Sequence, residues 1–429
     1  MFMRPARLTP TRTYLVHTGF ASLAYALAAT LQIVYQVQVV GLNPIQLVLV
    51  GTALEATVFL SEIPTGIVAD QYSRRLSIII GAVLSGLGFM IQGLIPTFAA
   101  ALACSVVWGI GFAFISGAAQ AWLVDEVGRE NALPALTRAR QLDMVVTIAG
   151  ILLAGGLGVF YLGLPLIIAG GVFLLLAVFL TLFMTENGWS PTPREDRETF
   201  ADLGRQLVTG VRAIRNNRVV LTLVAVALFV GLSSEAFDRL WTDRILTDFD
   251  LPPILGLDPD VAWFTGIALA GTLISLVVSL TVNRVSKQAM GNGHPNRLLG
   301  GLMAVQVAGI LCMGVSPWLG LALGGMWLRD AARDLAYPVQ TAWMNRHLKT
   351  EARATVMSMS SQVDAFGQVA GGPSLGAVGS RWGLTAAIAA SAAVLAPAVL
   401  LFLRLRPQSG TGDAGAEPAA VTAEAGERS

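Results

Sequence analysis

Residues 13–54 read TYLVHTGFASLAYALAATLQIVYQVQVVGLNPIQLVLVGTAL, a run without a single Asp, Glu, Lys or Arg. An α-helix needs roughly 20 apolar residues to cross the hydrocarbon of a bilayer, so the run is long enough for two crossings. Its middle carries Gly41-Leu42-Asn43-Pro44, a combination of glycine and proline that interrupts a helix. The stretch therefore reads as a helical hairpin in lipid. Residues 76–124 and 144–185 repeat the pattern, broken at Leu94-Ile95-Pro96 and at Gly163-Leu164-Pro165. These three runs predict six spans. Six more are predicted near residues 218–240, 261–283, 297–316, 318–343, 355–379 and 383–404.

Composition agrees with a lipid environment. The chain has 429 residues, 54% hydrophobic and 13% charged, with a mean hydropathy of +0.66, whereas soluble domains carry about 25% charged residues. The expected fold class is an all-α membrane protein with twelve transmembrane helices in two six-helix bundles. Residues 1–185 form the first bundle, 186–217 a polar cytoplasmic linker, 218–405 the second bundle and 406–429 a disordered tail rich in Gly, Ala, Glu and Pro. The part of the linker from Phe200 has helical spacing of apolar positions and can lie along the membrane surface.

Most of the 28 Lys and Arg residues fall in the N-terminal arm, the linker, the tail and alternate connections between spans. Short loops rich in basic residues stay in the cytoplasm, so both termini of a multi-pass protein of the cell membrane are expected there. The net charge of +1 is dispersed in short clusters and excludes a nucleic-acid face. Cys104 and Cys312 stand in apolar runs away from any His, which gives neither a disulfide framework nor a metal site. No phosphate-cradling glycine loop is present, and no His, Cys or Ser constellation has catalytic spacing. No cofactor is expected, and an enzyme is the least supported class.

After span 2 the chain continues Gly66-Ile67-Val68-Ala69-Asp70-Gln71-Tyr72-Ser73-Arg74-Arg75. Glycine, two residues, Ala-Asp and paired basics between spans 2 and 3 resemble the loop signature of the major facilitator superfamily. The resemblance covers nearly the whole chain and implies transport of a small molecule by alternating access, by a protein acting as a monomer. It also implies a gating role for Gly66, Asp70, Arg74 and Arg75, in which the carboxylate pairs with nearby basic groups and the N-terminal end of span 11. A helix N-terminus is partly positive and stabilises such a charge by ~0.3–1 kcal/mol. The alternative is that Arg74 and Arg75 only set topology. Phrases in span 2, from Glu55 to Gly66, and at the end of span 4, Ser116 to Glu126, are similar to the tetracycline- or macrolide-exporter-like branch, which implies proton-coupled export of drug-like compounds; the alternatives are uptake or facilitated diffusion of a small metabolite, or a membrane sensor that keeps the fold without transport. Two positions depart from that pattern. Span 4 lacks the basic residue of proton-coupled relatives in Ser105-Val106-Val107-Trp108-Gly109-Ile110-Gly111, and the Gly-Pro phrase of span 5 is absent, while Gly371-Gly372-Pro373 stands in span 11.

Charges inside spans cost ~2.5–3.5 kcal/mol each on insertion scales and so face partners or a cavity. Glu55 and Glu62 lie two helical turns apart on one face of span 2. Glu55 is the first candidate for proton coupling, with Glu62, Asp330 and Asp334 behind it; the alternative is a structural carboxylate that ties helices together. Span 10 carries Arg329, Asp330, Arg333 and Asp334, and an interhelical ion-pair network with Asp364 of span 11 is expected, with substrate binding as the other use. Glu235, Asp238 and Arg239 end span 7 and are candidates for an outer gate or for an ordinary solvated loop. Tyr25, Gln32 and Gln36 share a stripe of span 1 and either line the substrate cavity or make interhelical hydrogen bonds. That cavity is expected to be lined by Phe, Trp, Met and small residues. Asp125, Arg140 and Asp143 are expected to bridge spans 4 and 5 at the cytoplasmic face.

Overall fold

The computed structural model describes residues 8–189, 200–254, 256, 258–291 and 294–405. The first residues of the N-terminal arm, the linker segment 190–199 and the tail expected to be disordered lie outside the described residues. The first half runs through α1 (Pro10–Gln38), α2 (Pro44–Gln71), α3 (Arg74–Leu94), α4 (Phe98–Ile115), α5 (Ala118–Val127), α6 (Arg129–Gly158) and α7 (Leu164–Phe183). The hairpin turn of the opening run is built as its residues dictate. Asn43 accepts from the Gln46 backbone at 3.0 Å while the Gln46 side chain accepts from Asn43 N at 3.1 Å, and Pro44 opens the helix, a position where its missing N–H costs nothing. Span 4 is α4 and α5 together, broken where Gly117 takes φ of +73°. Only glycine enters that region without strain.

α8 (Phe200–Asn216) follows, then α9 (Arg218–Asp248), α10 (Pro259–Gly291), α11 (Pro295–Val315), α12 (Leu319–Arg346), α13 (Thr350–Trp382) and α14 (Leu384–Arg404). α8 lies against α13, with Gly210 beside Thr355 and Met359. Among the described residues ten spans are long and apolar enough to cross a membrane, α4 and α5 counting as one. α12 and α13 complete the twelve. α12 falls short because Arg329, Asp330, Arg333 and Asp334 sit in it, and α13 because Asp364 stands among Ser, Gln and Gly residues; those charges need the rest of the bundle around them.

Lipid gives no hydrophobic drive for one helix to leave it for another, so packing relies on small residues that let backbones approach. α9 and α13 meet this way: a Cβ on Gly367 would lie 2.7 Å from the Leu228 carbonyl, and Gly231 and Gly371 are as tightly placed. One core cluster is drawn from α1 to α7. The other is built mainly from α9 to α14 but takes in Leu31 and Val34 of α1 and Leu47, Val48 and Val50 of α2. Those shared residues lie near the turn between α1 and α2. We call the opposite side, where α1 begins, α7 ends and α9 begins, the linker face, and the sealed side the far face.

Candidate functional site

Span 7 is longer than its apolar residues suggest. α9 continues to Asp248, with Leu240 and Ile245 buried beyond the first charges, so Glu235, Asp238 and Arg239 lie well inside the bundle rather than at its mouth. Asp243 and Arg244, past the predicted end of span 7 at residue 240, are helical and buried as well. Arg244 bonds Asp248 at 3.2 Å, the Ser316 carbonyl at 3.1 Å and Thr385, which fastens the far ends of α9, α11 and α14 together.

Glu235 is 3% exposed and accepts from Arg239 Nε at 3.0 Å. One helical turn of α9 thus holds a dry ion pair. Asp238 points the other way and takes two cations of α12: Arg329 at 3.0 Å and Arg333 at 3.6 Å. Arg329 also holds Asp330 at 2.8 Å and stacks over the Phe237 ring at 4.5 Å. The ion-pair network of span 10 therefore runs to span 7. Asp364 takes no ion pair from Arg329 or Arg333 and instead accepts from Gln368 at 2.9 Å, because α12 meets α9 at Asp238 and hardly touches α13. Nor does Asp330 pair with Arg333; it is held by its neighbour Arg329. Asp334 is exposed and accepts from Ser275 of α10 at 2.6 Å.

On α2, Glu55 is half-buried and Glu62 exposed, so of the two expected partners on that face only Glu55 is enclosed. Gly51, one turn before it, lies directly under the Glu235–Arg239 pair, and Thr52 packs with Glu235 against Gly372 of α13. The far face is sealed here. Hydrogen bonds from Ile45 N to Ser380 at 3.1 Å and between Gln38 and Asp260 join the halves nearer the turn between α1 and α2.

Toward the linker face the halves part around a cavity of about 930 Å³. α6 lines one wall with Arg140, Asp143 and Thr147. α10, α12 and α13 line the other, where Ser275, Arg333, Asp334 and Asp364 bring the charge. Neither Phe nor Trp lines it, contrary to expectation, and Met144 and Met303 are its methionines. Tyr25, Gln32 and Gln36 do not reach it either. Tyr25 turns into a ring cluster with Phe89, Trp108 and Phe173 inside the first half, Gln32 donates to Gln92 of α3 at 2.9 Å, and Gln36 is fully buried. The stripe faces its own bundle, a side that helical spacing alone does not select.

At the linker face Arg74 binds Asp125 at 2.5 Å and Asp70 at 3.4 Å. The bridge expected between spans 4 and 5 is thus replaced: Asp125 is taken by α3, and Arg140 pairs at 2.7 Å with Asp143 on its own helix, which also accepts from Ser22 at 2.7 Å. α6 begins at Arg129, so Arg140 and Asp143 are already one turn apart on a helix. The Asp70 side chain is 64% exposed. Arg75 is anchored by its Nη2 to the Thr181 carbonyl at 2.6 Å, and its backbone N–H by Glu186 at 3.0 Å. Glu186 and Ser275 are participants that sequence reading missed, and Asp238, expected at an outer gate, instead holds the cations of α12. Its depth had a signal: four residues before the buried Thr242 and beside two other charges, it continues a helical pattern that runs on to Asp248.

A multi-pass helical bundle with a charged cleft between two halves defines a membrane transporter architecture. The chain belongs to the major facilitator superfamily, whose model matches residues 14–329. A relative from Bacillus subtilis (strain 168), described as the uncharacterized MFS-type transporter YxaM, is 23% identical over 358 residues, covering 83% of this chain and 86% of the relative. In fold the chain is similar to the nucleoside transporter NupG, with a TM-score of 0.71 at 14% identity, over 93% of this chain and 100% of that one. It is also similar to a bacterial homolog of the human lysosomal transporter Spinster, with a TM-score of 0.66 at 17% identity, over 92% and 95% of the two chains.

Proposed function

We propose that this protein is a secondary transporter that exports a small molecule from the cytoplasm in exchange for protons. The observation that carries the reading is the cavity itself: about 930 Å³ between the halves, large enough for a small organic molecule, with apolar packing shut across its far end. Transporters of this architecture bind substrate between repeat-related bundles and rock one against the other. The linker face is assigned to the cytoplasm, because the basic connections lie there, which makes the described state inward-facing. Asp70, Arg74 and Arg75 act in the opposite state: with the linker face closed, Asp70 meets the start of α13, and with it open the carboxylate stands in water.

Lining chemistry argues for a solute that bears at least one charge. Arg333 is half-exposed, and Asp334 and Asp364 have only neutral hydrogen-bond donors, so a wholly apolar guest would strand them. The relatives in fold include transporters named for nucleosides and peptides, polar cargo of comparable size. Drug-like export, which the resemblance of spans 2 and 4 implies, is the second reading and is favoured by Met144, Met303 and Tyr337 on the same walls. The test is flux through the full chain in liposomes with an imposed pH gradient, using a panel of cationic, zwitterionic, anionic and neutral compounds. At least one charged compound moves uphill and stops when a protonophore is added; movement of none, or movement indifferent to the gradient, refutes the proposal.

A further inference from the structure

α8 lies on the outside of the second half. Its Gly210 and Ile214, one turn apart, are buried, and a Cβ on Gly210 would press on Thr355 and Met359 of α13. Those two residues share one face of α13 with Phe366, which stands seven residues beyond Met359. Phe366 is 59% exposed and is not among the residues of the cavity wall, so on a membrane span that face looks into lipid. α8 therefore covers the lipid side of α13 at its linker-face end, where a segment that merely joined the halves would have no reason to run.

The side of α8 turned away from α13 carries Val208, Val211, Arg212 and Arg215, spaced i, i+3, i+4 and i+7 along one stripe. All four are exposed, the valines by 50% and 43%. Arg218 follows at the start of α9 and is exposed as well, and Leu221, one turn further, is 46% exposed. Leu221 faces lipid, so Arg218 stands where hydrocarbon gives way to headgroups, with Arg215 and Arg212 close before it in the chain. Arg212, Arg215 and Arg218 join no ion pair among the described residues, and the one acid in the sequence of α8 is Asp202, near its start. Valines gain nothing in water and arginines are costly in hydrocarbon. The interface serves both, because apolar side chains sink below the headgroups while arginines reach up to them.

We infer that α8 is a docking surface for anionic phospholipid in the leaflet at the linker face. Val208 and Val211 sit at the top of the acyl chains, and Arg212, Arg215 and Arg218 bind headgroup phosphates. A guanidinium meets phosphate with paired N–H donors, and a net negative surface adds an attraction that zwitterionic lipid lacks, about fivefold for each arginine. The lipid holds α8, and α8 in turn lies along the start of α13, the helix end that Asp70 is proposed to meet.

The test uses the full chain, with Cys104 and Cys312 replaced, in nanodiscs of phosphatidylcholine with or without phosphatidylglycerol. A nitroxide at Val211→Cys is exposed to oxygen, which concentrates in the bilayer, and to a water-soluble nickel chelate; a second label at Leu221→Cys gives the immersed reference. At Val211 oxygen collisions outweigh nickel collisions, and phosphatidylglycerol raises their ratio several-fold. Arg212→Gln, Arg215→Gln and Arg218→Gln together abolish that rise, whereas the corresponding three changes to Lys keep most of it, which separates lost charge from lost folding. Exchange of chloride for inorganic phosphate at matched ionic strength leaves the ratio where it was. Nickel outweighing oxygen at Val211 in both membranes would mean that the stripe faces water, and the inference falls. It falls equally on a ratio indifferent to phosphatidylglycerol, on a rise that survives the three Gln changes, on Lys changes as harmful as Gln, or on loss of the rise in phosphate, which would mark a site for the free anion. Solute flux does not enter the readout, so the outcome stands apart from the transporter reading.

Discussion

Gly51→Ala is the smallest change that reaches the contact between the halves. The added Cβ meets Glu235 Oε1 and Arg239 Nε only while α2 rests on α9; with the far face open it meets water. Alanine also favours a helix over glycine by ~1 kcal/mol, but α2 is helical in both states, so that gain cancels between them. What remains is the cost of overpacking, typically ~1–3 kcal/mol, borne by the closed state alone. Converted to populations this is a rise of ~5- to ~150-fold in the open-to-closed ratio. Thr52, buried against Gly372 in the closed state, reports it: in a Thr52→Cys background, the rate of labelling by a membrane-impermeant thiol reagent from the far side scales with the open fraction and rises by the same factor. Equal labelling rates with and without Gly51→Ala would show that α2 and α9 do not part there, and the location of the far gate would fall.

Other expectations follow from the same geometry. Asp238→Asn removes one of two carboxylates from buried Arg329 and costs ~1.5–3 kcal/mol, whereas the double change with Asp330→Asn leaves that cation without a partner and costs ~3–5 kcal/mol; thermal scans of the purified protein should show the difference. Gly117→Ala forces a φ of +73° on a residue with a Cβ and destabilises by ~1–2 kcal/mol, while Gly156→Ala, with open space around it, leaves the scan unchanged or improved. Asp70→Asn alters the melting of the described state by less than ~0.5 kcal/mol, because its one pair is long and exposed; flux nonetheless drops several-fold, since the state with the linker face closed loses its tie to α13.

Much of the fold was legible because lipid punishes charge so heavily. Runs such as residues 13–54 admit one reading, and Asn43, Pro44 and Gln46 mark the turn by capping chemistry that is local in sequence. α12 could be placed by topology even though four charges in two turns removed its apolar signature. The site was harder to read. That Glu55 and Arg329 are enclosed follows from their depth, but which partner each would find depends on how α9 lies against α2 and α12, and sequence carries no statement of that. On paper Asp364 was the partner expected for the span 10 cations and Asp238 belonged to an outer gate; the glycines of α13 pull that helix onto α9 and leave Asp364 turned to Gln368 and the cavity. Tyr25 and Gln32 show the same limit on the first half, where a polar stripe turned toward Gln92 and aromatic rings looks no different in sequence from one that lines a channel.

Alternating access with the cavity reached from the linker face is the claim on which the functional reading rests. Ser361 is exposed on the cavity wall, so in a chain without Cys104 and Cys312 a Ser361→Cys substitution can be labelled with a membrane-impermeant maleimide in vesicles of each orientation. The account predicts rapid labelling from the cytoplasmic side, slow labelling from outside, and a shift toward outside labelling when Gly51→Ala is added. Fast labelling from outside with none from the cytoplasm, or sidedness that Gly51→Ala leaves untouched, would contradict it.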